Sequence, residues 1–197
     1  LRTTRNGYAF APGQNVSIGL HLDYAKSKDF SIGSGLRDDF LEFMIKENRA
    51  GTISPSLRNL KPGAKLDLTG PYGEFFFRQS EKGRHVFIAT GIGIGPFRSY
   101  LRSFDVPDYL LVHGVRRAAD LRLSAGLDPA RLVSCVSRGD GGTVRGRITD
   151  YLRTAELRPD DLFYLSGNPR AVKDVLDLLR ERGIPAERIV REFYYAY

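Results

Sequence analysis

Residues 89–101 read ATGIGIGPFRSYL and follow an apolar run, HVFIAT (85–90). A buried strand that turns through glycines into a helix is half of a βαβ unit, and it commits the surrounding chain to a layered α/β sheet. The stretch nearly spells G-x-G-x-x-G, in which the helix N-terminus faces a pyrophosphate. Gly91 and Gly93 stand in register, Gly95 comes one residue early, and Pro96 occupies the place of the third glycine. Glycine lets the backbone approach a ligand closely and take positive φ. The turn is therefore a candidate phosphate site, with an ordinary glycine turn as the alternative.

The chain around it bears out the alternation. After residue 84, HVFIAT (85–90), YLLVHGV (109–115), LVSCVS (132–137), LFYLSG (162–167) and RIVREFYY (188–195) read as buried strands. Between them GPFRSYLRSF (95–104), RITDYLRTA (147–155) and RAVKDVLDLLRER (170–182) read as helices. The last is well delimited: Asn168 caps it, Pro169 suits its first turn, and Gly183 ends it. This pattern predicts a doubly wound parallel sheet of five strands, with ligands outside the carboxyl ends of the strands. Residues 1–82 have another texture. NVSIGLHL (15–22), KDFSI (28–32), FLEFMIK (40–46), KLDLTG (65–70) and EFFF (74–77) are short strand-like runs broken by PG, GSG, PG and PYG. They predict a small antiparallel β-barrel, interrupted by one helix at SPSLRNL (54–60). The polar segment QSEKGR (79–84) sets the expected boundary, giving domains 1–82 and 83–197.

Composition narrows the function. The 197 residues carry a net charge of +7, with the cations spread along the chain, which argues against a disordered nucleic-acid tail; such a basic surface suits nucleic acid, anionic lipid, a phosphorylated ligand or an acidic protein, or serves solubility alone. No run approaches the ~18 apolar residues of a membrane span. A single cysteine, Cys135, excludes a disulfide framework and an iron–sulfur cluster held by about four thiolates. A reducing cytoplasm is the expected compartment. His21, His85 and His113 have no metal-ligand spacing and are expected to be structural, as is Cys135; no metal is expected.

An NAD site would place an acidic residue at the end of the second strand, about 20 residues past the turn, to hold the ribose. Here that strand ends HGVRR (113–117). The third ends SRGDGGTVRGR (137–147), where Ser137, Arg138, Arg145 and Arg147 can converge on a phosphate. Arginine forks match phosphate oxygens. NADP is thus expected over NAD, with a basic loop as the plain alternative.

Taken in order, F-x-P-G-Q (10–14), K-D-F-S (28–31), G-T-I-S (51–54), P-G, G-P-Y-G (70–73), A-T-G-I-G-I-G-P (89–96), G-V-R, S-R, G-N-P and a terminal E-x-aromatic resemble the ferredoxin–NADP⁺ reductase family of the bacterial flavodoxin/ferredoxin type. The resemblance covers almost the whole chain, and there Pro96 is the expected residue. It implies FAD on the barrel and NADP(H) on the α/β domain. Phe30 corresponds to the aromatic beside the flavin, Ser31 to the hydroxyl near its reactive nitrogen, and Asp29 lies between it and Lys28. Lys28 replaces an arginine on a flavin phosphate, keeping the charge without the fork. Gly51, Thr52 and Ser54 resemble the flavin pyrophosphate segment. Thr90, Gly91 and Gly93 resemble the nicotinamide and pyrophosphate turn. Ser137 and Arg138, helped by Arg147, resemble the 2′-phosphate site. Ser166-Gly167 stands where many relatives have Cys-Gly. Glu192 and Tyr194 match the E-x-aromatic ending, with Tyr195 and Tyr197 as rivals, and with core packing the plain alternative for Phe193 and Tyr195. Relatives carry roughly one more strand before F-x-P-G-Q, so the barrel is expected to lack its first strand.

The activity implied is flavin-mediated electron transfer between NADP(H), a two-electron hydride carrier, and a one-electron carrier. The expected partner is an acidic ferredoxin or flavodoxin. A reductase component for an oxygenase or haem partner is the second enzyme reading. A basic nucleotide-binding module without redox function is the third.

Overall fold

The computed structural model describes residues 1–20, 27–51 and 53–192. His21, Thr52, Phe193, Tyr194, Tyr195 and Tyr197 lie outside the described residues.

The first half is antiparallel, as predicted. β2 (Asn15–Gly19) pairs with β3 (Lys28–Ser31) on one side and β5 (Asp67–Tyr72) on the other. β1 (Arg2–Thr4) pairs with β4 (Phe40–Glu42). Among the described residues one isolated bridge, Ile32 to Phe43, joins the two groups. Among the described residues no ladder joins β1 to β5, so the wall is open there. Alternation places Val16, Ile18, Phe30, Ile32, Leu41 and Phe43 inside, where α1 (Ile53–Arg58) adds Ile53 and Leu57.

The second half is the predicted parallel sheet, with one strand more than expected. Its order is β11 (Ile189–Arg191), β10 (Leu162–Ser166), β6 (His85–Thr90), β7 (Tyr109–Val115), β8 (Leu132–Val136), β9 (Val144–Arg145). Every pairing is parallel. The extra strand, β9, has two residues, too short for a hydrophobic pattern to reveal. Both faces are covered. Val86 and Ile88 of β6 meet α3 (Ile148–Thr154) and α4 (Pro169–Glu181), whereas Phe87 and Ala89 meet α2 (Gly95–Ser103). Period-two alternation on a sheet buried twice makes a strand apolar throughout. Asn168 accepts from the Ala171 amide and so caps α4, and Gly183 takes a φ of 76° behind it. No described helix is long and apolar enough to cross a membrane.

EFFF (74–77) departs from expectation: it forms no strand. The alternation survives, but its customer is the other half of the molecule. Phe75 and Phe77 join Phe87, Phe97, Tyr100 and Tyr164, with ring centroids 5.1–6.3 Å apart, while Phe76 is 42% exposed. The buried Tyr100 hydroxyl donates to the Phe75 carbonyl.

Candidate active site

The strand order reverses between β6 and β10. From β6 the chain steps to β7, β8 and β9, then returns to β10 on the opposite side of β6. Such a switch point opens a crevice at the carboxyl ends, because successive connections leave in opposite directions. Thr90 ends β6 and Gly167 follows β10, and the two meet there. The Asn168 amide donates to Thr90 Oγ1 at 2.7 Å.

Glycine is required at three places for different reasons. Gly91 has φ 55° with open space around it, so the backbone conformation demands glycine. A Cβ on Gly93 would lie 2.5 Å from Gly167 Cα, and one on Gly167 would lie 2.2 Å from Thr90 Oγ1, so those two are glycine for closeness. Pro96 sits in the first turn of α2, where a missing N–H leaves no helical bond unmade. The shortened fingerprint is thus a short 3₁₀ turn, Gly91–Ile94, running directly into the helix.

Beside this turn the two halves of the chain are joined by one carboxylate. Glu192, 8% exposed, accepts from Ser31 Oγ at 3.0 Å and from Ser166 Oγ at 2.6 Å. Ser31 ends β3 and Ser166 ends β10, so the contact spans 161 residues of sequence. The Glu192 amide donates to the Leu165 carbonyl, which extends the β11 pairing and fixes the carboxylate over β10. A buried carboxylate is tolerated when hydroxyl donors replace its water.

A cleft of about 800 Å³ lies over the carboxyl ends. Its walls include Thr90, Gly91, Ser137, Arg138, Arg147 and Gly167, together with residues 45–47 from the antiparallel half. Lys46, Arg116, Arg122 and Arg170 also line it and were not singled out by sequence, against the acids Glu47, Asp120 and Asp174. The excess of cations suits a polyanion. Arg116 was legible in HGVRR as more than a missing acid; Lys46, Arg122 and Arg170 had no signal in spacing. Ser137 donates its hydroxyl to the Val115 carbonyl at 3.2 Å, and the Arg138 amide donates to the Arg116 carbonyl at 2.9 Å, so both strand ends are pinned together. The Arg147 amide donates to Asp150 at 2.7 Å.

On the antiparallel side the expected residues are less gathered. Lys28 and Asp29 lie on the exposed rim of β3, while Phe30 packs into the core of the first half. The Gly51 amide donates to the Asn48 carbonyl at 2.9 Å, and Ser54 Oγ accepts from the Asn48 amide at 2.8 Å. These groups shape the 48–54 turn itself. Cys135 borders the cleft, where burial pushes its thiol pKa up to about 11 and keeps it protonated. His85 and His113 are buried, and burial lowers both imidazole pKa values.

Comparison with known proteins agrees with this fold. Residues 1–77 match the family model described as the oxidoreductase FAD-binding domain. The reductase component of propane 2-monooxygenase from Rhodococcus jostii (strain RHA1) is 30% identical, over 93% of this chain and 55% of its own length. The flavodoxin/ferredoxin–NADP reductase of Shigella flexneri is 29% identical, over 84% of this chain and 77% of its own. The solved ferredoxin reductase of carbazole 1,9a-dioxygenase superposes with a TM-score of 0.80 at 29% identity, covering 95% of this chain and 61% of that one. The chain spans 55–59% of the length of several of the curated oxygenase-system relatives it matches. In its first 77 residues the chain matches an oxidoreductase FAD-binding domain, and in fold it is similar to the ferredoxin–NADP⁺ reductase family.

Proposed function

We propose that this chain takes electrons from NADPH through FAD and passes them singly to a small carrier protein or to an oxygenase. One observation carries the reading: the Ser31–Glu192–Ser166 junction joins one strand end from each half beside a cationic cleft that both halves line. The cleft fits a dinucleotide in kind. Its volume is within the range of cofactor pockets, and Gly91 on its wall has open space where a Cβ would stand.

The roles follow from what each group can do. Thr90, Gly91, Gly93 and Gly167 would hold the nicotinamide half against the turn. Ser137, Arg138 and Arg147 would hold a 2′-phosphate, with Arg116 as a further cation. Lys28, Asp29, Phe30, Gly51 and Ser54 would serve the flavin from the antiparallel half, with Thr52 among them in sequence. A bound flavin supplies the exchange between two-electron and one-electron carriers. Ser31 and Ser166 would orient the reacting rings, and Glu192 holds both hydroxyls in place. Tyr194 remains a proposed cover for the flavin. The domains 1–82 and 83–197 remain the proposed division of labour.

The relatives named as reductase components of oxygenase systems favour an oxygenase, or a ferredoxin serving one, as the electron acceptor. A basic chain of net charge +7 suits an acidic partner. The test is a visible spectrum of the purified protein with added FAD, then diaphorase assays with NADPH and NADH. Flavin bands and a preference for NADPH are expected. Arg138→Ala should raise KM for NADPH about tenfold and leave NADH unaffected, as expected for loss of a hydrogen bond to a charged group. A protein that refuses FAD would sink the reading, and equal use of the two coenzymes would defeat the 2′-phosphate assignment.

A further inference from the structure

His113 lies in the middle of β7 and is fully buried, at 0% exposure. Its neighbours on that face of the strand, Tyr109 and Leu111, belong to the aromatic core. Its Nε2 lies 3.0 Å from the Gly91 carbonyl oxygen. A carbonyl only accepts, so Nε2 carries the proton and Nδ1 is the bare nitrogen. Among the described residues Nδ1 has no hydrogen-bond partner. An aliphatic side chain could fill this place without burying an unpartnered nitrogen, so packing does not explain the histidine. Its single bond does.

That bond ends on the nucleotide turn. The Gly91 carbonyl and the Ile92 N–H belong to one trans peptide plane and point in opposite directions. Drawing the carbonyl inward to His113 turns the Ile92 N–H away from the core, and Ile92 lines the cleft. Gly91 itself has nothing within 4 Å of where a Cβ would stand, so no side-chain packing holds this plane from its own residue. The first amides of such a turn have no partner within it, and a phosphate oxygen is what they can bind.

We propose that His113 is a positioning residue that aims the Ile92 amide at the diphosphate of the nicotinamide nucleotide. The inference rests on the reading of the cleft as a nucleotide site. Burial lowers the imidazole pKa, opposed by the hydrogen bond to the Gly91 carbonyl and, less, by the Asp120 carboxylate.

The test compares two ligands on the full chain with FAD added. NADP⁺ carries the diphosphate; adenosine 2′-monophosphate carries only the end held by Ser137 and Arg138. His113→Leu should weaken NADP⁺ about five- to tenfold and leave adenosine 2′-monophosphate unchanged, the loss of one directed hydrogen bond. In the assay KM for NADPH should rise with kcat nearly kept. His113→Gln, whose amide reaches as far as Nε2, should restore binding, and His113→Asn, which is shorter, should not. Where the leucine variant fails to fold, the Gln and Asn pair makes the same comparison. Unchanged NADP⁺ affinity in the Leu or Asn variant overturns the inference, as does equal weakening of both ligands. A wild-type protein that binds neither ligand overturns the nucleotide reading itself, and the inference with it.

Discussion

At the scale of single residues, the site depends on glycines that look alike in sequence and differ in physics. Gly91 needs its backbone angle and Gly93 needs its space. Gly91→Ala should cost about 1–2 kcal/mol, the left-handed penalty of an L-residue. Gly93→Ala should cost more, at or above the roughly 1–3 kcal/mol of overpacking, because its Cβ meets the backbone of residues 166–167, which cannot swing away. Thermal melts and NADP⁺ titration check the order, and a milder Gly93 variant would contradict it. Sequence marks both as a motif but cannot separate them. The separation depends on Gly167, which arrives from another strand 74 positions later in the numbering of the chain.

At the scale of elements, helices were the most legible parts. α4 begins and ends where Asn168, Pro169 and Gly183 say it should, because capping is local chemistry. Asn168→Ala should remove about 1 kcal/mol, read as a lower urea midpoint with unchanged m. Asn168→Ser should recover most of it. The Asn168 amide bond to Thr90 is a backbone donation and survives both changes. Strands were less legible. EFFF has the right alternation for a strand, yet Phe75 and Phe77 are claimed by rings on β6, α2 and β10. β9 exists only because β8 offers an edge at Cys135 and Val136. Pattern reports which side chains seek burial, and pairing depends on what lies alongside.

At the scale of the whole molecule, arginines fasten the segment between the two textures to the parallel sheet. Arg84 donates from Nε and Nη2 to both oxygens of Asp161, at 2.9 and 2.7 Å. Asp161 is fully buried and also accepts from the Arg158 amide. Arg78 and Arg188 donate to the carbonyls of Glu187 and Lys82. Arg84→Ala should therefore cost about 3–5 kcal/mol, since it strands a buried carboxylate. Arg84→Lys should recover part of this, the charge without the fork. Chemical denaturation checks both, and an Ala variant as stable as the wild type would rule out the strap. Arg102 of α2 also joins the halves, pairing with Asp38 at 3.0 Å and Glu42 at 3.4 Å.

By itself the sequence determined the two textures, the parallel α/β half, the glycine turn with its proline, and the cationic loop at 137–147. All of these are written in near neighbours: strand period, turn residues, caps and charge. Only the tertiary structure decided which distant groups meet. Ser31 and Ser166 share Glu192 because β3, β10 and β11 converge, and no spacing along the chain encodes a contact over 161 residues. It also decided that Ser54 and Gly51 bond within their own turn, that Arg116 and Arg170 face the cleft, and that His113 grips Gly91 from beneath. The reason is physical. Local propensity acts through covalent proximity, whereas a site made at the junction of two folded halves exists only after hydrophobic burial has brought them together.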